Sequence, residues 1–191
     1  EGIEKSGYDE ISFLSLSSAD YPGIEKLIDS FTAETKNEKI SVSLPSMRLD
    51  SFSFNIARLI QRGRKTGLTF APEAGTQLMR DAINKNIDKN EMLECMATAF
   101  REGWEKVKLY FMIGFPDETY EDILAIPELV KEILKMGREL LPGRKVGRIG
   151  INLSINAFCP KPFTPFQWAG QDPIEVLEDK FAMIVNHLPK K

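Results

Sequence analysis

The stretch KVKLYFMIGFPDETYEDI, from Lys106 to Ile123, decides how the rest of the chain is read. Its first half is an apolar run, Val107 to Ile113, broken only by Lys108 and Tyr110. That length and composition predict a strand buried on both faces of a parallel sheet. Gly114 ends the run, Pro116 stiffens the turn, and Asp117, Glu118 and Thr119 precede a helical pattern. Asp117 or Thr119 stands where a helix cap is needed, and the acidic residues suit the helix's positive end. A Gly and a Pro at the carboxyl end of a parallel strand bring backbone close to whatever sits there, and that end is the usual ligand face. A rigid strand-to-helix turn without a ligand accounts for these residues equally well.

The same strand-then-helix alternation runs outward on both sides. Residues 1–9 read as a tail, with Ile3 and Tyr8 on a helix end and Gly7 as its stop. A strand over Glu10–Leu16 leads to Ser17, Ser18 and Asp20, and Pro22 opens a helix bearing Ile24, Leu27, Ile28 and Phe31. A second strand, Ile40–Pro45, leads past Ser46 and Arg48 to a helix with Phe54, Ala57, Leu59 and Ile60 that stops near Gly63. A third, Gly67–Pro72, leads to Glu73, Ala74 and Gly75, and then to a helix with Leu78, Met79, Ala82 and Ile83. After a break at Asn84–Asn86, Asp88 and Glu91 have capping-box spacing ahead of another helix that ends at Gly103.

Downstream, the helix from Tyr120 to Met136 carries Pro127, deep enough to kink it or to mark a short first segment. A glycine-rich basic loop follows, best read as a solvated connection. The fifth strand is Ile151–Phe158. CPKPFTPFQWAGQDP is too rich in proline for a regular element, and Asp172 and Pro173 open a last helix through Val176, Leu177, Phe181, Ile184 and Val185. The fold class is therefore α/β, a partial TIM-like (β/α) barrel of parallel strands. A closed barrel needs about three more strands. No G-x-G-x-x-G and no P-loop is present, so a dinucleotide or Walker site finds no support. All 191 residues form one domain, with β/α units over 10–158 and a proline-rich segment plus helix over 159–191.

Composition narrows the function classes. The net charge is −3, which gives no reason to expect nucleic acid. No run of about 20 apolar residues is present, so no membrane span is expected. The start, EGIEKSGYDE, lacks the basic start and apolar core of a signal peptide, and cytoplasm is the expected compartment. Cys95 and Cys159 are the only cysteines and His187 the only histidine. They make neither a disulfide framework nor a metal motif, and no protein metal site is expected from them.

Parallel units collect their strand ends on one rim. The rim would carry Ser17, Ser18 and Asp20; Ser46 and Arg48; Glu73 and Gly75; Gly114, Phe115, Pro116 and Glu118; and Asn156, Phe158, Cys159 and Lys161. This mixture of carboxylates, hydroxyls, a guanidinium and an amide suits a polar cofactor bearing an amine, a carboxylate and a ribose. It is a poor match to hydrolases, because a serine nucleophile has no histidine base nearby. Each residue also has a structural reading. The structural readings have Glu118 facing a helix N-terminus, Glu73 capping a helix, Ser17 and Ser18 satisfying turn amides, Arg48 pairing with Asp50 or Asp20, and Cys159 as a small buried thiol. Phe166 and Trp168 are expected to cover the base of the core rather than to bind a cofactor.

IGFPDET at Ile113–Thr119 resembles the GFPGET-type turn of radical S-adenosylmethionine (SAM) enzymes. TFAPEAGTQLMRDAINKNIDKNEM at Thr69–Met92 resembles the same family's glycine-and-glutamate turn. SLSSADYP at Ser15–Pro22, SVSLPSMRLDSF at Ser41–Phe52 and FCPKPFTPFQW at Phe158–Trp168 fit its cobalamin-associated and methylthiotransferase-like branches. The resemblance implies a partial barrel in which a 4Fe–4S cluster on a CxxxCxxC loop reduces SAM to a deoxyadenosyl radical for hydrogen abstraction. It places Gly114, Phe115 and Pro116 beside the adenine, with Asn156 and Phe158 bordering that pocket. Glu73, Ser17 and Ser18 fall near the methionine or ribose portion, and Arg48 near the methionine carboxylate.

CxxxCxxC is absent from the chain, and Asp117 stands at the turn's usual glycine. The resemblance therefore implies the carboxyl-terminal part of a radical domain, truncated at its N-terminal strand. Such a piece would leave an exposed parallel edge for a partner and would hold neither cluster nor SAM by itself. Cobalamin would belong to an upstream domain, and the substrate is not indicated. A methylthiotransferase acting on RNA or protein and a non-catalytic barrel scaffold are the alternatives.

Overall fold

A computed structural model describes residues 2–13, 21–35, 40–43, 68–141 and 149–189, with only the backbone of 41–43. Its elements are α1 (Gly2–Ser6), β1 (Glu10–Ser12), α2 (Ile24–Glu34), β2 (Ser41–Ser43), β3 (Leu68–Glu73) and α3 (Gln77–Ala82). They continue with α4 (Lys89–Arg101), β4 (Lys106–Ile113), α5 (Tyr120–Leu140), β5 (Gly150–Ala157) and α6 (Ile174–His187). β1 and β2 pair in parallel, and β3, β4 and β5 form a second parallel sheet with β4 in the middle. Within each sheet consecutive strands are neighbours, joined through helices, as parallel pairing requires. The fold is α/β with small parallel sheets, neither of which closes on itself among the described residues. Within them β1 pairs on one side only, as an open edge would.

The core forms between the larger sheet and three helices. Leu68 and Phe70 of β3 and Val107, Leu109, Phe111 and Ile113 of β4 pack against α4 through Met92, Met96 and Phe100. α5 adds Ile123, Ile126, Val130 and Ile133, and α6 adds Leu177 and Ile184. Burying each such side chain contributes about 1.5–3 kcal/mol. β4 corrects the expectation of a strand buried on both faces. Its burial alternates residue by residue, with Lys108, Tyr110 and Met112 only half-buried. Among the described residues the helices cover one face and leave the other open.

Helix starts follow their caps. The Asp88 carboxylate accepts from the Asn90 and Glu91 amides and starts α4. Thr119, rather than Asp117, caps α5 in a reciprocal box with Asp122. α5 continues through Pro127 as one element and passes the expected end at Met136. A Cβ on Gly137 would lie 3.0 Å from both Phe100 and Ile149, so glycine there permits close packing. α2 begins after a left-handed Gly23, with Ile24 and Ile28 buried and Leu27 largely exposed. The buried stripe of α6 is Leu177, Lys180 and Ile184, while Phe181 and Val185 are about half exposed.

Trp168 corrects a second expectation, since it is 90% exposed and covers no core. The segment after β5 winds through turns in which the Ala169 amide donates to the Phe166 carbonyl. That winding tucks Phe166 in and turns Trp168 out. The expected strand end over 14–16, the helix over 54–63 and the basic loop over 142–148 lie outside the described residues, as do Ser17, Ser18 and Arg48. No helix among the described residues is long and apolar enough to cross a membrane.

Candidate functional site

The carboxyl ends of β3, β4 and β5 bring Ala74, Phe115 and Phe158 together. With Met79 they form an apolar cluster separate from the main core. The Phe115 and Phe158 rings lie 5.5 Å apart, and Phe166 meets Phe158 edge-on at 5.7 Å. The Phe158 amide donates to the Ile113 carbonyl at 2.8 Å, extending the ladder one step past β5. Gln171 Nε2 donates to the Phe158 carbonyl at 3.0 Å and holds the exit of the strand.

Glu73 ends β3 in the left-handed region, at φ 68°. Its carboxylate meets Lys85 Nζ at 3.3 Å, both side chains being partly exposed. The turn behind it is held rigidly. A Cβ on Gly75 would fall 2.6 Å from the Asp122 carbonyl, so the turn seats directly on α5. Arg80, completely buried, donates from Nη1 to the Ala74 and Gly75 carbonyls and from Nε to the Ile87 carbonyl. Burial pulls its pKa down from the ordinary value, against the opposing fields of Asp81 and Asp88. Thr76 caps α3 and donates to Asp122, which joins the starts of α3 and α5. Burial raises the Asp122 carboxyl, but hydrogen bonds from Thr76 and Thr119 outweigh it and leave the pKa below the ordinary value.

Gly114 adopts φ 86°, and its amide donates to Glu118 Oε2 at 2.7 Å. Its missing Cβ faces α6, where Leu177 Cδ2 would lie 2.8 Å away. Glu118 has partners other than the helix start expected for it. It caps the Gly114 amide and pairs with Lys180 Nζ, which also reaches Asp172, both at 2.8 Å. Burial pushes the Glu118 carboxyl up. Burial alone would lower Lys180, but its two carboxylate partners raise it. Pro116 lines a cavity of about 390 Å³ with Met79, Ile83, Asp117, Thr119 and Phe166.

Of the expected site residues, Phe115 and Phe158 pack together, while Glu73 ends β3 and Gly114 and Pro116 follow β4. Asn156 is exposed on β5, in register with Met112. Lys85, Arg80 and Lys180 were not singled out by the sequence reading, and Asp172 was read only as a helix start. Lys180 carried a signal, being the charged residue at helical spacing between Leu177 and Ile184. Lys85 and Arg80 carried none, because their partners are set by a turn.

The sequence profile of the radical SAM superfamily matches residues 1–130. The chain is a radical SAM superfamily member. It is 32% identical over 167 residues to an uncharacterised protein of Methanocaldococcus jannaschii, covering 87% of this chain and 34% of that relative. It is 28% identical over 122 residues to an uncharacterised methyltransferase of Pyrococcus horikoshii, covering 58% of this chain and 26% of that relative. The chain thus spans about a third of the length of the first relative and about a quarter of the second.

An iron–sulfur cluster of the superfamily type does not fit the cysteines of this chain. Cys95 is enclosed in the main core, where burial raises its thiol to about 12, and Cys159 lies exposed after β5. No group of three His, Cys, Asp or Glu able to hold a metal occurs among the described residues. The donor set at the strand ends is of a kind that SAM would match. A carboxylate and an ammonium paired at one turn complement an amino-acid zwitterion, and the Phe115–Phe158 pair offers apolar surface to a purine.

Proposed function

We propose that this chain is the SAM-holding part of a radical SAM enzyme whose cluster-binding cysteines lie in sequence outside it. The observation that carries this reading is the packing of Phe115 against Phe158 at the ends of parallel strands, with the Glu73–Lys85 pair at the end of the neighbouring strand, in a superfamily member. Reductive cleavage of bound SAM would supply a deoxyadenosyl radical for hydrogen abstraction from the substrate. The chain's own work is placement. Glu73 accepts from the amino group or a ribose hydroxyl, and Lys85 offers its ammonium to the carboxylate. Phe115, Pro116 and Phe158 wall the adenine and exclude water, while Gly114 gives their turn its direction. Ser17, Ser18, Arg48 and Asn156 complete the set that the family resemblance supplies.

The reading extends to a methyl-transferring or methylthio-transferring branch, with cobalamin as a possible upstream group. The name of the Pyrococcus relative supports methyl transfer. The test is anaerobic reconstitution of the intact protein with iron, sulfide, dithionite and SAM. We expect 5′-deoxyadenosine to accumulate with the intact protein and not with residues 1–191 alone. An intact protein that binds no cluster and yields no 5′-deoxyadenosine would favour a non-catalytic scaffold and end this reading.

A further inference from the structure

We propose that the face of the β3–β4–β5 sheet left open by the described helices binds an anionic oxygen group of a small molecule, carboxylate or phosphate, with Lys108 as its anchoring charge. Parallel sheets are normally covered on both faces, and barrel interiors are normally filled by branched apolar side chains. This face departs from both patterns. Thr69, Lys108 and Asn152 stand in register across the three strands, and Tyr110 and Ser154 form the next pair. The opposite face carries Leu68, Phe70, Val107 and Leu109 into the main core. Polar side chains thus predominate on this face, beside Met112, while the opposite face is apolar.

These polar groups are not spent on one another. Lys108 Nζ sits 4.6 Å from the centroid of the Tyr110 ring, an arrangement that holds the ammonium over the sheet. Among the described residues no carboxylate pairs with Lys108, and the side chains of Asn152 and Ser154 make no hydrogen bond. Lys108 is half-buried. One ammonium flanked by hydroxyls and an amide, without an acid, complements an anion. Lys108 precedes Ile113 by five residues, placing it about 16 Å from the strand end. The site is therefore distinct from the rim that holds Glu73 and Phe158.

The test is calorimetric titration of the intact protein, free of cluster and SAM, with citrate in one arm and inorganic phosphate in the other, at constant ionic strength. Saturable binding is expected in at least one arm, and the stronger arm names the group. Lys108→Met should weaken it about tenfold or more, while Lys108→Arg should hold it within about threefold. Asn152→Asp, which puts a carboxylate in register with Lys108, should abolish it while leaving Tm unchanged or higher. The proposal is overturned if neither anion saturates, or if Lys108→Met and Asn152→Asp bind like the parent. The readout needs no cofactor, so failure here leaves the SAM reading intact, and failure of the 5′-deoxyadenosine assay leaves this site intact.

Discussion

Lys180 Nζ lies 2.8 Å from Glu118 Oε2 and ties α6 to the turn that follows β4. The two residues are 62 positions apart, and their side chains are only 8% and 2% exposed. Glu118 in turn accepts from the Gly114 amide, so α6 reaches the backbone of the rim through one carboxylate. The direction of the Gly114–Pro116 turn therefore depends on a helix far along the chain.

Lys180→Met tests that tie. Removing one partner strands Glu118 and Asp172 without their cation, which should cost about 3 kcal/mol. Glu118→Gln should cost less, because the amide oxygen can still accept from Gly114. Urea unfolding of both variants measures the difference, and equal losses would show that the charge pair is not what couples α6 to the rim.

The same pair sets an alkaline limit. The folded-state pKa of Lys180 lies above 10.5, so its contribution is present below about pH 10.5 and is lost as pH rises through the folded value. Stability of the parent should fall there more steeply than that of Lys180→Met. Asp122 acts in the opposite direction. Its folded pKa lies below 3.8, so its contribution is present above that value and fades as pH falls through the folded one. Asp122→Asn should flatten the acid limb of a stability–pH curve and leave the alkaline limb as it was.

Gly75→Ala puts a Cβ 2.6 Å from the Asp122 carbonyl, on helix backbone that cannot yield cheaply. The expected cost is about 1–3 kcal/mol, read from thermal unfolding. The displaced turn carries Glu73, so SAM affinity in the intact protein should fall as well. Unchanged affinity alongside lowered stability would separate Glu73 from cofactor binding.

Gly114→Ala meets two obstacles, a left-handed φ of 86° and Leu177 Cδ2 at 2.8 Å. The pairing with Leu177→Ala divides them. The double variant relieves the contact but keeps about 1–2 kcal/mol of backbone strain, so it should remain less stable than Leu177→Ala alone.

The two thiols should react very differently. Iodoacetamide at pH 8 should label exposed Cys159 and spare Cys95, whose thiol is buried and raised to about 12. Mass spectrometry of the labelled peptides reads this directly, and Cys95 should react only once the chain is unfolded. Labelling of both in the folded protein would contradict the packing of α4.

Much of the α/β alternation was legible because it is written in local pattern. The apolar run of β4, the Asp88 and Thr119 caps and the stop at Gly7 depend on neighbours within a turn or two. The rim candidates Glu73, Phe115 and Phe158 were legible for a related reason. Parallel strands must end on one side, so residues that follow them must gather there. The sequence by itself thus determined the order of the described elements and the parallel sense of the sheets. Only the tertiary structure decided what those residues touch. Glu118 could serve a helix start or a ligand until Lys180 arrived from another helix. Apolar strand composition did not tell that β4 would be covered on one face, because coverage depends on which elements pack there. Local pattern acts over one or two turns, whereas a buried charge is settled by partners tens of residues away.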